Sequence, residues 1–199
     1  MKLTYLAHST FALTAENGKV LITDPVDKGS GYDLHSPHAD VVTISHHHFD
    51  HDALDQLSGD PVVIDTLGTH EVCGFQITGY PAFHDEAQGA KRGTNTIYKI
   101  EADGKTVVHL GDLGHDLDDA TVEALFGADA LLIPVGGTFT IDAAQAAQLA
   151  KKLCPRRVIP MHYLTPQLTF SIAPLDPFLK AAELLPVYPL ALGKTIILG

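Results

Sequence analysis

Residues 43–51 read TISHHHFDH, four histidines and one aspartate in nine positions that begin within the apolar run Val41–Ile44. The stretch is internal and its histidines follow an apolar run, so it is not the remnant of an affinity tag. It is either a metal site or a turn of solvated imidazoles. With 12 histidines in 199 residues, H-x-H-x-D-H arises by chance on the order of four times in a thousand such chains. The motif therefore outweighs composition. His46, His48, Asp50 and His51 lie too close together to encircle one ion with good geometry. A compact turn can instead offer two of them to one ion and two to its neighbour. Imidazole nitrogen and carboxylate oxygen suit zinc, manganese or iron, and no thiolate chemistry accompanies them.

The remaining composition sets limits rather than an identity. A chain of 199 residues fits one domain with a full core, and 45% hydrophobic with 19% charged residues describes an ordinary globular protein. No stretch has the apolar length of a membrane span or a signal peptide, and Cys73 and Cys154 lack CxxC spacing. A cytoplasmic location is expected, with no membrane partner. Thirteen basic against 24 acidic residues, a net charge of −11, argue against a nucleic-acid-binding face.

Alternation predicts strands over 2–6 and 10–14, then a turn at Asn17-Gly18 and a strand in KVLITD. Residues 25–39 read as a loop rich in Gly, Pro and Ser. DVVTIS and VVIDT read as buried strands, with a short helix in DHDALDQL between them. FQITGYPAF and TNTIYKIEADGKTVVHLGD continue the strands, the latter turning at Asp103-Gly104. Beyond that the period changes. DDATVEALF, IDAAQAAQLAKKL and DPFLKAAELL carry helical spacing between the strands DALLIPV, RRVIP and KTIILG. Sheets covered by helices are the expected result.

Three further candidate ligands each follow a predicted strand: His84 after GYPAF, Asp112 in VVHLGD and His162 in VIPMH. Strand ends hold side chains more firmly than mobile loops, as a metal site requires. Together with ITDP, SHHHFDH, LGDLGH and IPMHY in this order, the chain resembles the metallo-β-lactamase fold superfamily along essentially its whole length. LLIPVGGTFTIDAAQAA is similar to the stretch before the last histidine in its compact bacterial metal-dependent hydrolases. The resemblance implies an α/β fold, an αββα sandwich of two mixed sheets flanked by helices. It implies two divalent ions, zinc first and manganese or iron(II) as alternatives. His46, His48 and His84 would hold one ion, Asp50, His51 and His162 the other, with Asp112 between them. A hydroxide shared by the ions would then act as nucleophile, and Asp50 would also orient or relay a proton. Asp24 would hold the ligand loop by hydrogen bonds, and His8, in the first hairpin, would support the site from beside it.

The bridging residue is aspartate, not the cysteine of the zinc β-lactamases, which argues against antibiotic hydrolysis. His48 stands where the diiron oxidoreductases of the superfamily have glutamate. The chain has no room for the long insertions of the RNA-processing branches. Hydrolysis of a small-molecule ester, lactone or phosphodiester is the leading expectation. The alternatives are a mononuclear iron dioxygenase of the same fold and a non-catalytic metal-binding module. His115, three residues past Asp112 and beyond a glycine, is a candidate proton donor. Lys91 and Arg92 are candidates for binding an anionic substrate. His47 should point away from the ions, His109 belongs to the core, and His35, His38 and His70 lie in loops. A homo-oligomer is compatible with the sequence, which does not decide it.

Overall fold

The computed structural model describes residues 1–199. Its first sheet is built from β1 (Lys2–Ala7), β2 (Thr10–Thr14), β3 (Val20–Thr23), β4 (Val41–Thr43) and β5 (Val62–Ile64). Its second comprises β6 (Gly68–Val72), β7 (Phe75–Phe83), β8 (Thr94–Ala102), β9 (Lys105–His109), β10 (Ala130–Pro134) and β11 (Val158–Met161). The last strand, β12 (Thr195–Ile197), returns to the first sheet beside β1. The orders are β12-β1-β2-β3-β4-β5 and β11-β10-β9-β8-β7-β6. Both sheets are mixed: tight turns give antiparallel pairs, and the longer connections give the parallel pairs β3–β4–β5 and β9–β10–β11.

Strand alternation explains the core. Leu3 and Tyr5 of β1 and Phe11 and Leu13 of β2 point inward to meet Ile77, Tyr98 and Ile100 of the second sheet. The other face of the second sheet, with Ile97, Val108, Leu131 and Ile133, packs against the helices. These are α1 (Asp119–Leu125), α2 (Ala143–Leu153) and α3 (Asp176–Ala181). α2 opens with a capping box between Asp142 and Gln145 and buries Ala146, Ala147, Leu149, Ala150 and Leu153 on that sheet. No helix is long and apolar enough to cross a membrane.

The sandwich is uneven. All three α-helices lie in the second half of the chain, whereas the outer face of the first sheet carries loop residues such as Ala39 and Leu57. The helix expected in DHDALDQL is a single 3-10 turn, Leu54–Gln56, because Ala53 offers no side-chain cap and Ser58-Gly59 follows at once. His70, expected in a loop, sits in edge strand β6 opposite Ile77. That strand, GTHEV, has no fully buried position and so no alternation to betray it. α3 stops at Ala181, short of the predicted stretch, and Leu184 is left exposed.

The two sheets are also joined by a polar contact. The buried Tyr98 hydroxyl of β8 lies 3.0 Å from the carbonyls of both Ile44 and Ile64, at the ends of β4 and β5. Tyr98→Phe should leave those acceptors short of a donor and cost about 1–2 kcal/mol, a fall in Tm of roughly 3–6 °C by calorimetry.

Candidate metal centre

Six strands end at this site. His8 follows β1, Asp24 follows β3, and His84 and His162 follow β7 and β11 directly; His46 and Asp112 lie three residues past β4 and β9. The folding of two sheets face to face is therefore what brings distant parts of the chain together. His8, Asp24 and His162 have φ of +48°, +37° and +49°, a left-handed backbone that residues with a Cβ adopt at a cost. Such strain concentrated at one place marks a functional site.

Asp24 organises the motif turn. Its buried carboxylate accepts the Ser45 N–H at 2.7 Å and the Ser45 hydroxyl at 2.5 Å, and it accepts from His51 Nδ1 at 2.9 Å. The Ser45 hydroxyl oxygen in turn accepts from His46 Nδ1 at 2.9 Å. With Nδ1–H engaged on both rings, each imidazole presents Nε2 as a lone-pair donor. His84 is oriented the same way, its Nδ1 donating to the Phe139 carbonyl at 3.1 Å. Asp112 is held through its N–H, which donates to Asn95 Oδ1 at 2.9 Å, while Asn95 Nδ2 donates to the Leu110 carbonyl. Gly111, at φ +55°, makes this approach feasible: a Cβ there would lie 2.3 Å from Asn95 Oδ1 and 2.6 Å from Ser45 Cβ.

Two donor groups result, each with its atoms within 4.8 Å of one another: His46, His48 and His84, and His8, Asp50, His51 and His162. Asp112 stands between them, 3.3 Å from His84 Nε2, 3.3 Å from His51 Nε2 and 3.1 Å from His162 Nε2. A third group, Asp24 with His46 and His51, is a hydrogen-bond clamp, since its carboxylate already accepts three donors.

The residues fit metal ions by an observation of their own. Nε2 of His46, His51 and His162, both nitrogens of His8 and Asp112 Oδ1 are buried without a hydrogen-bond partner. Buried polar atoms are otherwise almost always paired. Several of these atoms approach a carboxylate oxygen at 3.1–3.3 Å but are not aligned with it. Ligand atoms of His46, and of His8, His51 and His162, instead lie within 4.8 Å of the other members of their donor groups. The donor set is nitrogen and oxygen only, and Cys73 and Cys154 take no part.

Electrostatics point the same way. Burial pushes the Asp112 carboxyl up, but His162 and His51 hold it well below the usual carboxylate range. Burial also opposes ionisation of Asp50, whose carboxyl His51 and His8 keep depressed. Burial likewise penalises a charged His51, yet Asp112, Asp24 and Asp50 raise it well above the ordinary histidine value. His46 is lowered to about 3 and His8 to about 4, by burial first and then by a neighbouring imidazole, His51 and His162 respectively. The carboxylates and the imidazoles of His51 and His84 thus favour each other's charged forms, and a divalent cation can take over that balancing charge.

The other sequence candidates divide. His8 reaches the site, its Nε2 lying 3.3 Å from Asp50 Oδ2 and its ring 4.3 Å from that of His162. Arg92 lines the cavity above the centre, but Lys91 is ion-paired with Glu86 at the surface and does not. His115 is a correction. Its Nδ1 donates to the Asp116 carbonyl at 2.6 Å and its Nε2 accepts the Phe83 N–H at 3.0 Å. With both nitrogens bound to backbone it has none to offer the site as a proton donor. His47 is exposed beside Asp52 and Asp65, and His109 donates from Nε2 to the Ser9 carbonyl in the core. Sequence reasoning missed Ser45 and Asn95. It also missed Asp85, whose buried carboxylate accepts four main-chain N–H groups of the 87–92 loop. The only local signal for Asp85 was an aspartate preceding a Gly-rich turn.

A profile of the beta-lactamase superfamily domain matches residues 2–162. A UPF0173 metal-dependent hydrolase of Thermococcus kodakarensis is 31% identical over 193 residues, 83% of this chain and 85% of that protein. A solved structure from Thermotoga maritima, provisionally described as a Zn-dependent hydrolase of the metallo-beta-lactamase superfamily, is 42% identical. It superimposes with a TM-score of 0.75, covering 90% of this chain and 84% of its own. The metallo hydrolase Igni18 of Ignicoccus hospitalis is 26% identical, with a TM-score of 0.71 and coverage of 98% and 97%.

Two outcomes follow from the clamp and the charges. Asp24→Asn should weaken divalent-ion binding by about 10–100-fold in competition with a chelator, because it frees the tautomer of His51. Because burial is outweighed by Asp112, Asp24 and Asp50, which favour the charged form of His51, metal uptake should release protons and weaken as pH falls. Calorimetry in buffers of different ionisation enthalpy reads this directly; uptake without proton release would contradict it.

Proposed function

The chain belongs to the beta-lactamase superfamily and, within it, to the UPF0173 metal-dependent hydrolases, and from that premise we propose a dinuclear centre that hydrolyses a small-molecule ester, lactone or phosphodiester. His46, His48 and His84 would hold one ion and Asp50, His51 and His162 the other, with Asp112 shared. Zinc suits this nitrogen and oxygen set, and manganese or iron(II) are the alternatives. The observation that carries the reading is the place of Asp112, within 3.3 Å of imidazoles from both donor groups. Two divalent ions, when bound, supply a water acidified to near neutrality and a Lewis-acid grip on the bond to be cut.

The chain's own residues have separable tasks. The Asp24–Ser45 clamp keeps Nε2 of His46 and His51 directed inward without reorganisation. Asp50 is kept ionised and lines the cavity, so it can accept a proton from a bound water and pass it outward. His8 lies beside Asp50 on the buried side, its Nε2 3.3 Å from Asp50 Oδ2. His115 anchors the 111–116 loop to Phe83 and stays outside the chemistry.

At saturation the protein should contain two ions per chain by elemental analysis, alongside turnover in a screen of esters, lactones and phosphodiesters. Asp112→Ala should deplete both ions and His84→Ala chiefly one, whereas His115→Ala should keep both ions and turn over like the wild type. A saturated content of a single redox-active iron would replace the hydrolase by the dioxygenase reading.

A further inference from the structure

The cavity over the centre, about 460 Å³, is lined by the donor residues and beside them by Phe49, Phe139, Phe170 and Arg92. These four come from separate segments: the motif turn, the β10–α2 loop, the stretch after β11 and the loop after β7. Phe49 is 60% exposed and Phe139 is 37% exposed, whereas Phe11, Phe75 and Phe178 are buried in the cores. The rings still gather, Phe170 standing edge-on to Phe49 at 6.2 Å and to Phe139 at 6.1 Å between centroids. An apolar cluster turned to solvent at the mouth of a polar site gains stability when an apolar ligand covers it.

Arg92 is the one cationic side chain outside the donor set on this cavity, and it has no carboxylate partner in a chain of 24 acidic residues. One N–H donates to the Thr138 carbonyl at 3.1 Å, and the guanidinium lies 5.5 Å over the Phe139 ring. Four of its five N–H donors remain for a ligand, in a fork that matches two oxygens of a carboxylate or phosphoryl group. Its backbone is pinned, because the Arg92 N–H donates to Asp85 Oδ2 at 2.7 Å.

The two features meet at Phe139, which touches both, and lean toward different donor groups. Phe139 bonds His84 through its carbonyl and carries Arg92 on its ring, so Arg92 belongs to the His46, His48 and His84 side. Phe170 stands 5.7 Å from His8 and 6.4 Å from His162, beside the second donor group. We propose that the substrate is amphipathic: an oxyanion group is captured by Arg92, an aryl or alkyl body lies against Phe170 and Phe49, and the scissile bond spans the centre between them. This rests on the hydrolase reading and narrows it to a substrate class.

The test uses metal-loaded protein and three phenyl esters of one length: neutral phenyl pentanoate, monophenyl glutarate and phenyl 4-phosphonobutanoate. At least one charged ester should exceed the neutral one in kcat/KM by about 10–100-fold, the worth of a charge-assisted bidentate contact. Whichever is faster tells whether the oxyanion is carboxylate or phosphoryl. Arg92→Gln should bring the charged-to-neutral ratio to about one, and Phe170→Ala should raise KM for all three. A wild-type ratio near one, or a ratio unmoved by Arg92→Gln, would overturn the proposal. Calorimetric binding of benzenesulfonate, a weakly metal-coordinating anion, gives a second reading independent of turnover. It should weaken about tenfold or more in both variants. If no ester is cleaved while this loss is seen, ester hydrolysis fails and the amphipathic site stands; unchanged binding in Arg92→Gln would sink the site itself.

Discussion

The contacts of one fully buried carboxylate, Asp24, set the geometry of the metal-facing end of the fold. Its main chain ties neighbouring strands: its N–H donates to the Thr43 carbonyl at 2.9 Å, and its carbonyl accepts the Thr10 hydroxyl at 2.7 Å. Its side chain gathers Ser45 and His51 and, through Ser45, His46. A carboxylate out of water costs several kcal/mol unless its lone pairs are satisfied. Here three aligned donors satisfy it, with His109 3.9 Å away. The same contacts decide which nitrogen of two imidazoles faces inward. The chemistry therefore depends on a residue that is absent from the cavity lining.

The second sheet supplies its half by close approach of backbone. Gly111 lets the turn before Asp112 pass against Asn95 and Ser45, and a Cβ on Gly136 would come within 2.3 Å of the His162 carbonyl. Both glycines stand where a strand end must run against another site segment, and any side chain would clash there and displace the candidate donor residues. Space at these points and hydrogen bonds at Asp24 are complementary restraints, one steric and one polar, on the same set of donor atoms.

How far the sequence could be read follows from what each feature depends on. Candidate metal donors are a small chemical alphabet: H-x-H-x-D-H was visible in its spacing, and His84, Asp112 and His162 through their places after predicted strands and the family resemblance they share in. Buried strands were visible through alternation or continuous apolar runs, as in FQITGYPAF and DALLIPV. Edge strand β6 was not, since a strand with no buried face has no pattern. Residues whose meaning lies in a loop's path were misjudged or missed. His115 stands beyond a glycine that permits a turn toward the site, yet the turn it makes ties both nitrogens to backbone. Lys91 and Arg92 are adjacent and chemically alike, but Asp85 fixes their loop so that only Arg92 lines the cavity. The three phenylalanines lie far apart in sequence and become a group only when three loops meet.

The charge distribution gives the centre an order of events. A net charge of −11 attracts divalent cations to a site that already holds Asp24, Asp50 and Asp112 in ionised form. The same field disfavours an approaching oxyanion, and screening at physiological salt confines any favourable contact to within roughly 8 Å. Arg92 alone is a single charge against that background. Bound divalent ions would reverse the local sign beside it, so on the amphipathic reading anion capture becomes favourable only once the metals are in place. The apolar contacts at Phe49 and Phe170 carry no such dependence. Affinity for the body of the substrate is thus built into the folded chain, while affinity for its charged end is conferred by the loaded centre together with Arg92.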